Sequence, residues 1–167
     1  MTPIETLTLA VYFFVLVILA VYGWHRYYLV YLYMKHKDHP PTPKGSFEAL
    51  PRVTVQLPIY NEMYVAERLI GAVCKLDYPR ELLEIQVLDD SVDETTAVAE
   101  RAVRRHAAAG VNITYLHRSD RTGYKAGALE AGLHVAQGEF VAVFDADFIP
   151  TADFLLRSVQ FFTDPKV

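Results

Sequence analysis

The chain has 167 residues, which is enough for one modest domain and an additional segment. Its formal net charge is −4, and the sequence contains no run rich in lysine or arginine, so we do not expect a nucleic acid partner. Cys74 is the single cysteine, which excludes an intrachain disulfide.

The apolar residues are concentrated near the N-terminus. Between Leu7 and Trp24 the only clearly polar side chain is Thr8. As a helix, this run would be about 27 Å long, close to the thickness of the bilayer hydrocarbon. A buried helix of a soluble core is the alternative, but the length and the asymmetric charge favour the membrane. We therefore expect residues 1–37 to form a transmembrane helix with its basic flank.

The charges around this span predict its orientation. Arg26, Lys35 and Lys37 follow the span, whereas the residues before it include no lysine or arginine. Because positive residues favour the cytoplasmic side, we expect the N-terminus outside the membrane and everything after the span in the cytoplasm.

After a proline-rich linker at residues 38–51, short apolar runs alternate with helical patterns. The predicted strands are 53–57, 84–88, 112–116 and 140–144. The predicted helices are one capped by Asn61, one that opens with a Ser91–Glu94 capping box and ends at Gly110, one at 125–137, and one from Thr151 to Phe162. This alternation predicts an α/β fold: a mostly parallel, Rossmann-like sheet with helices on both faces.

In such a sheet, the carboxyl ends of all strands meet at one edge, where ligands bind. The candidate residues expected at this edge are Pro58, Tyr60, Asn61, Glu62, Asp89, Asp90, Arg118, Arg121, Gly123, Lys125, Asp145 and Asp147.

Asp145 and Asp147 are separated by one residue at the end of the fourth strand. Two ionised carboxylates this close repel each other, and a hard divalent cation, Mg²⁺ or Mn²⁺, would relieve that repulsion. If the chain turns after Asp145, both carboxylates can reach one cation. Lys125 and the two arginines could then neutralise a diphosphate bound to it.

Four segments, LPIYNE, VLDDSVDET, DRTGYKAGAL and FDADFIP, resemble in order and spacing the family 2 glycosyltransferases with the GT-A fold. The similarity is greatest to the membrane-bound group that includes cellulose synthase-like, β-mannan synthase-like and ceramide glucosyltransferase-like enzymes. It extends from about residue 52 to 164, so that residues 52–167 would be a donor-nucleotide-binding half-domain.

The resemblance implies an inverting transfer of sugar from a UDP- or GDP-linked donor to a polysaccharide or lipid acceptor. By position, Pro58, Tyr60 and Glu62 would line the nucleotide pocket, Asp89 would contact the base, and Lys125 would face the nucleotide. The acidic pair would be the DxD motif, in which Asp145 contributes to both the donor and the metal site and Asp147 is the surer metal ligand.

The family's general base and its Q-x-x-R-W motif would lie beyond Val167, so the catalytic base is not identified. We expect this chain to be the donor-binding part of a longer enzyme and to be inactive by itself.

Two alternatives stay open at this point. Haloacid dehalogenase-like phosphatases also carry a DxD after an apolar strand, but on the first strand and followed by Thr or Ser, whereas Phe148 follows it here. A non-catalytic, membrane-tethered nucleotide-binding module would also fit acids and a lysine at strand ends.

Overall fold

The structure, a computed structural model, describes residues 2–38 and 41–166. His39 and Pro40, which belong to the predicted linker, lie outside the described residues, as do Met1 and Val167. The chain divides into two compact units, residues 1–42 and 43–167. The boundary falls within the predicted linker, so residues 43–51 belong to the second unit. Within that unit, Lys44 forms an ion pair with Asp164, and the Phe47 amide donates to the Gln160 side chain.

The first unit contains one helix, α1 (Pro3–His36). Thr2 caps it through a capping box, in which its hydroxyl accepts from the Glu5 amide and the Glu5 carboxylate accepts from the Thr2 amide. No residue of α1 is buried, and α1 is long and apolar enough to cross a membrane. Its 34 residues correspond to about 51 Å, so the helix continues well past the predicted apolar span.

The second unit is an α/β domain. Its main elements are β1 (Val53–Ile59), α2 (Met63–Val73), β2 (Leu83–Asp89), α3 (Thr95–Ala108), β3 (Ile113–His117), α4 (Tyr124–Leu133), β4 (Phe140–Val143) and α5 (Phe154–Val159), with short 3-10 turns at Arg80–Leu82 and Gln160–Thr163. The strands form one parallel sheet in the order β3-β2-β1-β4. The predicted fold class is confirmed, and all four strands end at the same edge.

The two faces of the sheet differ in polarity. Odd-numbered residues of β1 and β2, such as Val55 and Val87, belong to one apolar cluster with residues of α2 and α3, such as Leu69 and Ala99. The other face lies against α4. The sheet therefore has helices on both sides.

The face beneath α4 is polar yet buried. Thr54, Gln56, Glu84 and Gln86 are all at most 7% exposed. The Thr54 hydroxyl donates to Glu84 at 2.6 Å, and the Gln56 amide donates to the Gln86 carbonyl at 3.0 Å. Gly132 of α4 lies directly on this layer, since a Cβ there would be 2.5 Å from Nε2 of Gln56. A close helix–sheet contact with satisfied polar groups thus fixes α4 on the sheet.

This polar layer also explains why α4 is shorter than predicted. Its helix ends at Leu133 rather than at residue 137. The Gln137 amide donates to Glu84 and the Gly138 amide donates to the Thr54 hydroxyl, each at 2.8 Å. These two amides therefore donate to buried side chains instead of to the backbone carbonyls of the preceding turn, and the helix does not continue.

Both predicted helix caps in the β1–α2 and β2–α3 loops are wrong. The Ser91 hydroxyl accepts from the Asn61 amide, and the Asn61 side chain accepts from the Val92 amide. The residues that precede the helices are Glu62 and Glu94, neither of which makes a side-chain cap bond. The two polar side chains connect neighbouring loops instead of capping their own helices. The last predicted helix is also shorter, because α5 covers only Phe154–Val159.

Candidate functional site

A cavity of about 530 Å³ opens at the carboxyl edge of the sheet. Six of the seven predicted binding residues line it: Pro58, Tyr60, Glu62, Lys125, Asp145 and Asp147. Its wall also contains Ile59, Leu88, Asp90, Arg121, Ala128 and Ala146. The ends of three strands and the start of α4 thus converge on one space.

The acidic pair lies on a turn. Strand β4 ends at Val143, and the Phe148 amide donates to the Asp145 carbonyl at 2.9 Å, so the chain turns after Asp145. Ala146, between the two acids, is 3% exposed and packs into the apolar cluster. A buried alanine therefore anchors the turn while both flanking carboxylates face the cavity.

Glu62 is a third acid in the same space. Partial burial raises its pKa, and the negative charges of Asp147 and Asp145 raise it further, while Lys125 lowers it. Glu62 thus experiences the field of the acidic pair, although it lies about 80 residues earlier in the sequence. Four carboxylates line the cavity when Asp90 is included, and the mutual repulsion of Glu62, Asp145 and Asp147 favours a cation there.

Lys125 enters the cavity from the first turn of α4. Gly123 precedes this helix with a φ of 76°, a left-handed conformation that glycine adopts without strain. The Lys125 ammonium forms an ion pair with Asp145, and both side chains are more than half exposed. Because this ion pair is solvated, breaking it costs little free energy. A phosphate can then replace Asp145 beside Lys125, and a metal cation can replace Lys125 beside Asp145.

The two arginines near α4 have different surroundings. Arg118 does not line the large cavity; its guanidinium binds Asp90 in a bidentate manner and also donates to the carbonyls of Thr122 and Tyr124. Hydrogen bonding to Asp90 raises the pKa of Arg118. Arg118 therefore holds the β3–α4 loop in place. Of the two arginines, Arg121 is the one that lines the cavity and is available to a diphosphate.

Arg121 stacks on Tyr60. Its guanidinium carbon is 3.3 Å from the centroid of the Tyr60 ring and 5.1 Å from that of Tyr124. The contact is a cation–π interaction within the cavity wall.

Asp89 is the predicted site residue that the structure does not bring into the cavity. Its side chain is fully buried and accepts hydrogen bonds from the Tyr115 hydroxyl at 2.6 Å and the Ser91 amide at 2.9 Å. Desolvation by burial, together with the hydrogen bond to Asp89, raises the pKa of Tyr115. Successive strand residues point to opposite faces, so Leu88 and Asp90 reach the cavity and Asp89 does not. The role assigned to Asp89 stays a prediction.

The donor set fits a hard divalent cation. Carboxylate oxygens from Asp145 and Asp147 are the ligands that Mg²⁺ and Mn²⁺ prefer, and Glu62 adds negative charge nearby. Across residues 2–38 and 41–166, no three His, Cys, Asp or Glu side chains are arranged to hold a metal by themselves. Such a site suits a cation that is shared between one or two carboxylates and the phosphates of a ligand.

Comparison with known proteins agrees with this geometry. Residues 54–167 match the profile described as Glycosyl transferase family 2. Glucomannan 4-beta-mannosyltransferase 2 of Arabidopsis thaliana is 41% identical over 155 residues, which cover 90% of this chain and 28% of that protein. Glucomannan 4-beta-mannosyltransferase 1 of Oryza sativa subsp. japonica is 47% identical over 123 residues, covering 71% and 24%. The chain thus spans only about a quarter of the length of these curated relatives.

A solved structure is also similar. Mannosyltransferase PcManGT from Pyrobaculum calidifontis, in complex with GDP-Man and Mn²⁺, superposes with a TM-score of 0.69 and 33% identity, covering 89% of this chain and 44% of that one. Family profile, relatives and fold agree with the four sequence motifs and with the cavity they surround, and the chain therefore belongs to glycosyl transferase family 2.

Proposed function

We propose that this chain forms the donor- and metal-binding part of a membrane-anchored, inverting glycosyltransferase whose donor is GDP-mannose. The observation that carries the proposal is that Lys125 and the Asp145–Asp147 turn meet in one cavity with Tyr60 and Asp90. A mannosyltransferase of similar fold binds GDP-Man and Mn²⁺, and relatives are named as glucomannan mannosyltransferases, which favours GDP over UDP.

The base would occupy the part of the cavity between Pro58, Tyr60 and Asp90. The Tyr60 ring supplies a stacking surface for a base. Because Asp90 lines the cavity and Asp89 is buried against Tyr115, we assign the base contact to Asp90. Each Asp90 oxygen already accepts one hydrogen bond from Arg118 and keeps a further lone pair, so the carboxylate can accept an N–H of the base at its free side.

The diphosphate would lie between Lys125, Arg121 and the acidic turn. Lys125 exchanges Asp145 for phosphate oxygens, which releases the carboxylate for the cation. Asp145 and Asp147 would hold Mn²⁺ or Mg²⁺, which when bound acts as a Lewis acid on the departing diphosphate. Glu62 keeps that end of the cavity negative and therefore attractive to the cation.

The acceptor would be a polysaccharide, as the names of the glucomannan mannosyltransferases suggest, with a lipid acceptor as the second candidate. Inversion at the anomeric carbon needs a general base within hydrogen-bond reach of the acceptor hydroxyl. We place that base outside this chain, so donor binding is the step that the chain can perform. A phosphatase of the haloacid dehalogenase type is set aside, because residues 54–167 match a glycosyltransferase family.

The proposal is tested by calorimetric titration of the 167-residue chain in detergent micelles with GDP and UDP, each with and without Mn²⁺. We expect Mn²⁺-dependent binding that is tighter for GDP, and loss of the Mn²⁺ dependence in Asp147→Asn. Asp153→Asn, which removes a carboxylate that does not line the cavity, should leave binding unchanged. Failure of the folded chain to bind either nucleotide with Mn²⁺ would refute the proposal.

We also propose that α1 spans the membrane with its N-terminus outside and the glycosyltransferase unit in the cytoplasm. Support comes from the apolar surface of α1, none of whose residues is buried, and from Lys35 and Lys37 at its C-terminal end. In a Cys74→Ser background, the thiol of Thr2→Cys should react with an impermeant maleimide applied to intact cells, and that of Lys37→Cys should not. The reverse labelling pattern would contradict this orientation.

A further inference from the structure

Arg121 covers one face of the Tyr60 ring, and both side chains line the cavity. The guanidinium carbon lies 3.3 Å from the centroid of the Tyr60 ring, which is van der Waals contact between two planar groups. A base that stacked on this face would need the same volume. Tyr60 is 36% exposed, so its ring is reachable from solvent once the guanidinium leaves.

Arg121 is held on the ring by stacking alone. Among the described residues, its guanidinium makes no ion pair, and nothing accepts a hydrogen bond from its buried Nε. This differs from Arg118, whose guanidinium is satisfied by Asp90 and two carbonyls. An unsatisfied, desolvated donor is costly, and an anionic oxygen would relieve that cost.

We propose that Arg121 is a specificity-determining residue that makes the cavity reject nucleosides and accept nucleoside diphosphates. This inference rests on the proposed function of the cavity. In the free protein, the guanidinium covers the base-stacking face of Tyr60. A nucleoside diphosphate displaces the guanidinium from the ring, and its phosphate oxygens then accept hydrogen bonds from it. A nucleoside also displaces the guanidinium but provides no anionic acceptor for it.

The strength of the stacking sets the size of the effect. A cation–π contact of this kind corresponds to roughly a 3- to 30-fold penalty on a ligand that must break it without compensation. Removing Arg121 should therefore have opposite effects on two ligands that share the same base. Guanosine should bind more tightly, and GDP should lose the phosphate contact.

The test is a titration of the full 167-residue chain with guanosine, and separately with GDP and Mn²⁺. In Arg121→Ala we expect guanosine affinity to rise by roughly 3- to 30-fold and GDP affinity to fall, so that the preference for GDP drops by at least about tenfold. Arg121→Gln, which keeps most of the side-chain volume without the cation, should shift both affinities in the same directions. In a Tyr60→Leu background, Arg121→Ala should no longer improve guanosine binding.

The matched control is Arg105→Ala, which removes an arginine paired with Glu67 away from the cavity and should change neither affinity. If GDP binding weakens in both Arg121 variants while guanosine binding does not improve, Arg121 is only a phosphate ligand and the inference is overturned. If the unaltered chain binds GDP but neither Arg121 substitution changes the guanosine affinity, this inference is wrong and the proposed function still stands. If the unaltered chain binds neither GDP nor UDP, the proposed function fails and the inference fails with it.

Discussion

Arg118 and Asp90 are joined by two short hydrogen bonds, from Nε to Oδ1 at 2.8 Å and from Nη2 to Oδ2 at 2.6 Å. Asp90 directly follows β2, and Arg118 directly follows β3, so the pair links the ends of two adjacent strands. The same guanidinium donates to the carbonyls of Thr122 and Tyr124. One side chain thus fixes the loop that carries Arg121 and leads to α4.

This pair makes Arg118→Lys non-conservative. Lysine keeps the charge but cannot reach four acceptors from one planar group, and it leaves the nearly buried Asp90 partly unpaired. We expect the free energy of unfolding to fall by about 1–3 kcal/mol, measured by urea denaturation, with a parallel loss of GDP affinity. Arg105→Lys, at an exposed ion pair, should change the stability by less than about 0.5 kcal/mol. Equal effects of the two substitutions would contradict this role.

Gly127 is required by the same loop. A Cβ at this position would lie 2.1 Å from the Thr122 carbonyl oxygen and 3.0 Å from a terminal nitrogen of Arg118. We expect Gly127→Ala to lower the free energy of unfolding by about 1–3 kcal/mol, because the loop must move. Gly71→Ala in α2, where a Cβ meets nothing within 4 Å, should instead stabilise by about 0.5–1 kcal/mol. Thermal unfolding of both variants measures the contrast, and a stabilising Gly127→Ala would show that the close approach does not exist in solution.

Glu62 gives the metal-free chain a defined pH dependence. The pKa of Glu62 in the folded chain lies above its ordinary value of 4.5. At pH values between these two pKa values, the folded state binds more protons than the unfolded state. The contribution of this group to stability is therefore lost as pH rises from about 4.5 through the raised folded pKa. Glu62→Gln should remove that part of the decline and unfold at higher urea concentration than the unaltered chain at pH 7. Urea midpoints between pH 4 and 8 provide the measurement.

A bound cation should reverse this behaviour. With Mn²⁺ present, the ionised form of Glu62 is favoured by the added positive charge, and the advantage of Glu62→Gln should disappear. If the difference in urea midpoint between Glu62→Gln and the unaltered chain is the same with and without Mn²⁺, Glu62 does not face the cation.

The buried polar layer beneath α4 can be tested at Thr54. Thr54→Val preserves the shape of the side chain but removes a donor to Glu84 and an acceptor for the Gly138 amide. We expect a loss of about 1–3 kcal/mol in the free energy of unfolding, measured by urea denaturation. Thr114→Val on β3, where the side chain is exposed, should be neutral or slightly stabilising. Similar results for the two threonines would mean that the layer is hydrated rather than closed.

Most of the second unit could be predicted from the sequence because its local signals agree. Apolar runs alternate with helical patterns, and a parallel sheet then brings the strand ends together. That reasoning located Tyr60, Lys125 and the Asp145–Asp147 pair, and it required no knowledge of how side chains pack. The sequence leaves open whether the strand continues through Asp147 or turns after Asp145, and the structure shows the turn.

The errors arose where tertiary contacts compete with local ones. Asn61 and Ser91 have the right chemistry for helix caps, yet each bonds to the neighbouring loop. The burial of Asp89 follows from the alternation of side chains along β2, because Leu88 and Asp90 share the face that lines the cavity and Asp89 lies on the other face. The polar positions of β1 and β2, such as Gln56 and Gln86, resemble a solvated face, and only the approach of Gly132 identifies them as buried.

Strand β4 has one hydrogen-bonded neighbour, β1, among the residues the structure describes. Its outer main-chain amides and carbonyls, together with the partly exposed Val141 and Val143, form a template for another extended segment. Two copies of this chain can therefore associate edge to edge without altering either sheet. Because such pairing is bimolecular, it weakens on dilution, and repeating each titration at a lower protein concentration separates ligand binding from self-association.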